Sequence, residues 1–135
     1  GTNFTWMEGK LKSNDGKWDT YMSNLSIPSP KLAMYVNYEP VRNTYVNLQY
    51  VHTGKRDRFA PDGNGHYSEG EGIIKRIDMV NMTAGYKWCN WDFCLGISNL
   101  LNNTYYTPAS MMMARDAEYA HGNGRNVTLT VSYRY

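Results

Sequence analysis

Through residues 125–135 apolar and polar side chains alternate without a break. Val127, Leu129, Val131, Tyr133 and Tyr135 fall on one face, and Asn126, Thr128, Thr130, Ser132 and Arg134 on the other. An extended chain places successive side chains on opposite sides, so this period of two predicts a β-strand with unlike faces. The same design recurs upstream. Trp91, Phe93, Leu95 and Ile97 oppose Asp92, Cys94, Gly96 and Ser98, while Val80, Met82, Ala84, Tyr86 and Trp88 oppose Asn81, Thr83, Gly85 and Lys87. Leu32, Met34, Val36 and Tyr38 oppose Ala33, Tyr35, Asn37 and Glu39, and Val46, Leu48 and Tyr50 oppose Tyr45, Asn47 and Gln49. A sixth strand is expected over residues 4–11, where the period blurs because Trp6 shares a face with Glu8 and Lys10.

The connections alternate between tight and long. Pro40-Val41-Arg42-Asn43 and Cys89-Asn90-Trp91-Asp92 read as tight turns, whereas residues 12–30, 53–77 and 102–124 are long and rich in Gly, Asn, Asp, Ser and Pro. Connections in compact soluble domains have a median of about 4–6 residues. Outer-membrane barrels combine short periplasmic turns with long extracellular loops. Tyr86, Trp88 and Trp91 surround one tight turn, and Tyr133 and Tyr135 close the chain; together they are expected to form a periplasmic aromatic girdle. If the last strand ends in the periplasm, all three long loops fall outside together. The expected fold is therefore all-β, an antiparallel transmembrane β-barrel. Six strands are fewer than the eight of the smallest membrane barrels, and an open edge cannot persist in lipid, so residues beyond these are expected to complete the barrel.

Composition agrees, with 12 Tyr, 4 Trp and 12 Gly in 135 residues and a negative mean hydropathy. Strands favour aromatics, and bends favour Gly. A net charge of +2 is too small for a nucleic-acid footprint. No run is long and apolar enough for a membrane helix, and the opening Gly1-Thr2-Asn3-Phe4 lacks the regions of a signal peptide, which fits a fragment.

Residues 96–106, Gly-Ile-Ser-Asn-Leu-Leu-Asn-Asn-Thr-Tyr-Tyr, resemble the penultimate-strand motif of TonB-dependent receptors, with Leu101 where Phe and Asn102 where Asp are more usual. The final strand is similar to the family in ending on an aromatic, Tyr135, after the approach through Gly122 and Gly124. Pro28-Ser29-Pro30-Lys31-Leu32 and Thr53-Gly54-Lys55-Arg56-Asp57-Arg58-Phe59 resemble segments of ferric-siderophore receptors. The resemblance implies that residues 1–135 are the C-terminal part of a barrel of about 22 strands with a plugged lumen. It further implies import of a ferric siderophore, energised through the TonB complex. The plug and the TonB contact would lie N-terminal to Gly1. Partners would then be the ferric siderophore, the TonB complex, outer-membrane lipid, and the remaining strands and plug. No cofactor is expected, since iron would travel as the chelate.

A large anionic chelate suits loops that display Arg, which offers fixed donors to oxygen anions, and aromatics, which supply rigid contact area. The candidates are Arg56, Arg58, Phe59, His66 and Tyr67 in one loop and Tyr105, Tyr106, Met112, Arg115, Tyr119 and His121 in the next. Each is also a residue type that merely packs or solvates a loop. Met111-Met112-Met113 reads as loop packing before it reads as a soft contact surface or a copper-like site. His52, His66 and His121 have no spacing that suggests a shared metal. Cys89 and Cys94 flank a tight turn; a disulfide and two free thiols both fit.

Asp and Glu are dispersed, and no Ser-His-Asp or paired-carboxylate spacing supports catalysis. Asn-x-Ser/Thr triplets at Asn3, Asn24, Asn81, Asn102 and Asn126 lie partly inside strands and read as lumen-facing polar positions. Two other functions compete. A passive porin-like channel would carry charged constrictions and no plug. A soluble β-sandwich or lipocalin-like binding module would turn the apolar face of each strand inward, which alternation alone allows.

Overall fold

The structure, a computed structural model, describes residues 1–112 and 119–135. The chain is mostly β. Six strands form one antiparallel sheet in the order β1-β4-β5-β6-β7-β8, and β2 and β3 form a separate hairpin. These are β1 (Thr2–Thr5), β2 (Lys10–Lys12), β3 (Trp18–Tyr21), β4 (Lys31–Tyr38), β5 (Thr44–Thr53), β6 (Ile77–Trp88), β7 (Trp91–Ser98) and β8 (Asn126–Tyr133), with one short helix, α1 (Pro108–Met112), between β7 and β8. The five strands with clear alternation are where the pattern puts them. β5 runs on to Thr53 because Val51 and Thr53 keep pairing with Met79 and Ile77. The first strand differs from expectation: β1 stops at Thr5, and Lys10–Lys12 pair instead with Trp18–Tyr21. The blurred period at Trp6 and Glu8 marks the chain leaving the sheet. β1 and β8 each pair on one side, so among the described residues the sheet is open and no barrel closes.

The register makes the two faces explicit. One carries unbroken apolar rows across five strands: Val36, Leu48, Met82, Ile97 and Val127, then Tyr38, Val46, Ala84, Leu95 and Leu129. The other carries amides and hydroxyls, as in the row Asn37, Asn47, Thr83, Gly96 and Thr128. Asn47 donates to Asn37 across that face, and Asn81 Nδ2 donates to Gln49 Oε1 at 3.2 Å. Nothing covers the apolar side among the described residues: Leu129 is 65% exposed and Val36 63%. The buried apolar residues Ile74, Ile77 and Met111 sit under the long loops rather than between layers.

The tight turns share one end of the sheet. Asn43 and Cys89 take positive φ, 65° and 52°, to reverse the chain in so few residues. Lys87 N donates to Asn43 O and Arg134 N to Asn90 O, each at 2.9 Å, stitching each turn to the next strand. Just inside this end Gly85 faces Tyr45 on the polar side, where an added Cβ would lie 2.1 Å from the Tyr45 ring. Only glycine lets the ring lie on the backbone there, and the Tyr45 hydroxyl reaches Cys94 Sγ at 3.5 Å.

Candidate functional site in the long loops

The long connections gather at the opposite end and are built from specific hydrogen bonds. Asn99 ends β7 with φ 51° and is 2% exposed. Its backbone N donates to Asn81 Oδ1 at 3.0 Å, its Oδ1 accepts from Asn103 N at 2.9 Å, and its Nδ2 donates to Asn103 O and Asn123 O. Asn102, also at positive φ, accepts from Arg125 N at 2.9 Å. These asparagines thus hold both ends of the third loop together, which is a physical reason for the Asn-rich run after β7. Further on, Thr107 caps α1 through Ser110, with Pro108 in the first turn where its missing N–H costs nothing.

The three loops are tied at Gly70, which accepts from Asn24 N at 2.7 Å and donates to Met112 O at 2.9 Å. Its φ is +77°, and a Cβ added there would lie 2.8 Å from Leu25 Cγ, so the position requires glycine. Buried Asn24 adds a donor to Gly72 O at 2.6 Å and an acceptor to Arg56 Nε at 2.7 Å, while an Arg56 terminal nitrogen donates to Met22 O at 3.0 Å. Burial, and then the neighbouring Arg58, lower the Arg56 pKa from its usual value, with Glu8 opposing. Arg56 is therefore committed to holding two loops together and is not on their exposed surface. Asn24 was invisible as such a partner in the sequence, because the pairing spans distant segments.

Two clusters of cations and aromatics sit on this scaffold. In the first, Tyr106 packs on Tyr119 and His121, with ring centroids 5.4 and 4.7 Å apart, and Lys75 Nζ stands 4.9 Å from Tyr106 and 5.5 Å from Tyr119. In the second, Tyr21 lies between Lys10 Nζ at 4.8 Å and Arg58 Cζ at 5.3 Å, and Arg58 also meets Glu8 at 3.3 Å. Beside it opens a cleft of 160 Å³ whose walls include Trp6, Lys55, Arg56 and Arg58. Lys55 holds the Asp57 carboxyl below the usual carboxylate range.

Of the sequence candidates, Tyr106, Tyr119 and His121 come together, and Tyr105 and Met112 pack against the small loop core beside them. Arg58 is exposed in the second cluster, and Phe59 and Tyr67 are half-buried along their loop, where His66 is exposed. Arg115 and Met113 lie outside the described residues. Lys75, Lys10 and Tyr21 were missed, since nothing local distinguishes a lysine that will stack on a ring from a solvated one. Among the described residues no three His, Cys, Asp or Glu side chains converge as metal ligands.

At the tight-turn end, Tyr86, Trp88, Trp91 and Tyr133 share the apolar face, and Trp91 packs on Tyr133 with centroids 4.9 Å apart. Tyr135 follows β8, fully exposed. Of the two cysteine alternatives the thiols are free: Cys94 faces Gly85 across the ladder, and Cys89 lies in the turn. No family model matches the chain, and no solved structure matches it.

Proposed function

We propose that the chain is the C-terminal part of a TonB-dependent outer-membrane receptor barrel that imports a ferric siderophore. The observation that carries this reading is the bare apolar face. It runs across five adjacent strands, with every long loop of the sheet at one end and clustered Trp and Tyr at the other. In water a sheet buries such a face on a second layer; in a bilayer the face needs only hydrocarbon. A membrane-spanning strand takes about 9–11 residues when tilted, and the central strands β5 and β6 have 10 and 12. A soluble sandwich would need a second layer over the aliphatic rows, and among the described residues none covers them.

The open edges at β1 and β8 expose backbone groups that lipid cannot satisfy, so further strands must close the barrel in the membrane. The Asn-rich turn after β7, which resembles the receptor motif, favours a plugged receptor over a passive pore. Energy then comes through TonB contacts made by the plug region. The chelate meets the loops, where Lys75 and Arg58 supply charge and Tyr21, Tyr106 and Tyr119 supply flat contact area. No catalytic step and no resident cofactor is part of the proposal.

The test uses iron-starved cells that carry the intact gene. Outer-membrane location, a barrel-like shift between heated and unheated gel samples, and TonB-dependent uptake of radiolabelled ferric siderophore are expected. Uptake that persists without TonB would replace the receptor with a passive channel. Recovery in buffer without detergent would replace it with a soluble binding module.

A further inference from the structure

Among the described strand residues, the apolar face carries a carboxylate and an imidazole at its loop end. His52 and Asp78 occupy the row continuing from Phe4 and Leu32, one step beyond the apolar row of Met34, Tyr50 and Val80. Asp78 accepts from the Tyr50 hydroxyl at 2.7 Å, from Arg76 Nε at 2.5 Å, and pairs with His52 Nδ1 at 2.6 Å. Arg76 uses only its Nε in this way, and its side chain is 67% exposed. Its terminal nitrogens and His52 Nε2 have no partner among the described residues. Arg125, exposed just before β8, is in step with Val127 and so belongs to the same end of the same face.

We infer that Arg76 and His52 bind the phosphate of a lipid headgroup in the outer leaflet, with Asp78 and Tyr50 as positioning residues. This rests on the membrane reading above. An Arg facing hydrocarbon is far more costly at mid-depth than near the interface, so on the membrane reading this end of the face marks the outer polar boundary of the bilayer. What meets a barrel sideways at that depth is a headgroup. The planar guanidinium fork matches two phosphate oxygens, and Asp78 fixes its orientation beforehand. At this end of the face two arginines, Arg76 and Arg125, stand against the single carboxylate of Asp78, which leaves it complementary to an anion. Met34 and Val80, one step toward the turns, offer apolar contact for the acyl chains below the headgroup.

The experiment uses the intact receptor in detergent, with diphosphorylated lipid A and its dephosphorylated counterpart as probes and native mass spectrometry as readout. Arg76→Gln is expected to weaken binding of the phosphorylated lipid about tenfold, as for a lost charge-assisted hydrogen bond, and His52→Gln to weaken it similarly. Neither variant should change binding of the dephosphorylated lipid. Lys87→Gln, at the other end of the sheet, should leave both unchanged. Equal binding of phosphorylated lipid by wild type and Arg76→Gln overturns the proposal, as does full displacement of that lipid by inorganic phosphate. Wild type that needs no detergent overturns the membrane reading itself, and is seen before any lipid is added.

Discussion

Replacing Asn24 with Ala removes two hydrogen bonds from the place where the loops meet. Gly72 O loses its donor at 2.6 Å and Arg56 Nε its acceptor at 2.7 Å, both in buried surroundings. An orphaned buried polar group costs about 1–3 kcal/mol, and more when the group is charged. Arg56 keeps its bond to Met22 O, which places the combined loss at about 2–4 kcal/mol. The sheet makes no use of these groups, so the loss falls on local opening of the loops rather than on global unfolding. At about 1.4 kcal/mol per tenfold, hydrogen exchange at the Arg56, Gly70 and Ile74 amides should quicken by about 30- to 700-fold. These amides are held by Ile74 O, Met112 O and Arg56 O, so they report the second loop's own pairing and its tie to the third. Amides in the middle of β6 should not change. Asn24→Asp keeps the acceptor for Arg56 and loses only the donor, and should show a smaller effect. Exchange at the three loop amides within threefold of wild type in Asn24→Ala would refute the claim that this pairing holds the loops.

Gly85→Ala should destabilise the sheet by about 1–3 kcal/mol through overpacking against Tyr45, read as a lower midpoint of thermal unfolding. Gly85→Ala combined with Tyr45→Ala should recover part of that loss, and strict additivity would contradict the packing. Asp62 has its carboxyl held below the usual range by the backbone N–H groups of His66 and then Asn64. That support for the turn is fully present above about pH 4, the unfolded value, and is lost as pH falls through the lowered one. Amide exchange at Asn64 and His66 should therefore be insensitive to protonation of Asp62 between pH 7 and 5 and lose protection in acid, whereas Asp62→Ala should lack protection throughout. Lys75→Ala and Tyr106→Ala should each weaken ferric-chelate binding by about three- to tenfold in a fluorescence titration; unchanged affinity in both would move the binding surface elsewhere.

The strands were legible because alternation is local: Val127 to Tyr133 and Phe93 to Ile97 carry their face assignment in every second residue. Loop order was legible for the same reason, since Gly, Asn and Pro mark where a strand cannot continue. The first strand was not, because Trp6 and Glu8 share a face and the chain leaves the sheet there for a hairpin. Loop packing was hidden more deeply. Asn24 and Arg56 are 32 positions apart, and Arg56 on its own reads as an exposed cation suited to an anionic ligand. Lys75 likewise gains its meaning from Tyr106 and Tyr119, which reach it only once the third loop folds back. The clustering of aromatics at the tight turns is visible in sequence, whereas the packing of Trp91 on Tyr133 is tertiary and is not.

The most direct measurement is accessibility along β8 in reconstituted bilayers. Single cysteines carrying a nitroxide would be placed at Val127, Thr128, Leu129, Thr130 and Val131, with Cys89 and Cys94 replaced by Ser. Oxygen collisions should peak at Val127, Leu129 and Val131, and collisions with a water-soluble nickel chelate at Thr128 and Thr130, giving two opposed period-two patterns. Equal access of the nickel chelate to all five positions, or burial of Val127, Leu129 and Val131 from both reagents, would contradict a face that meets lipid.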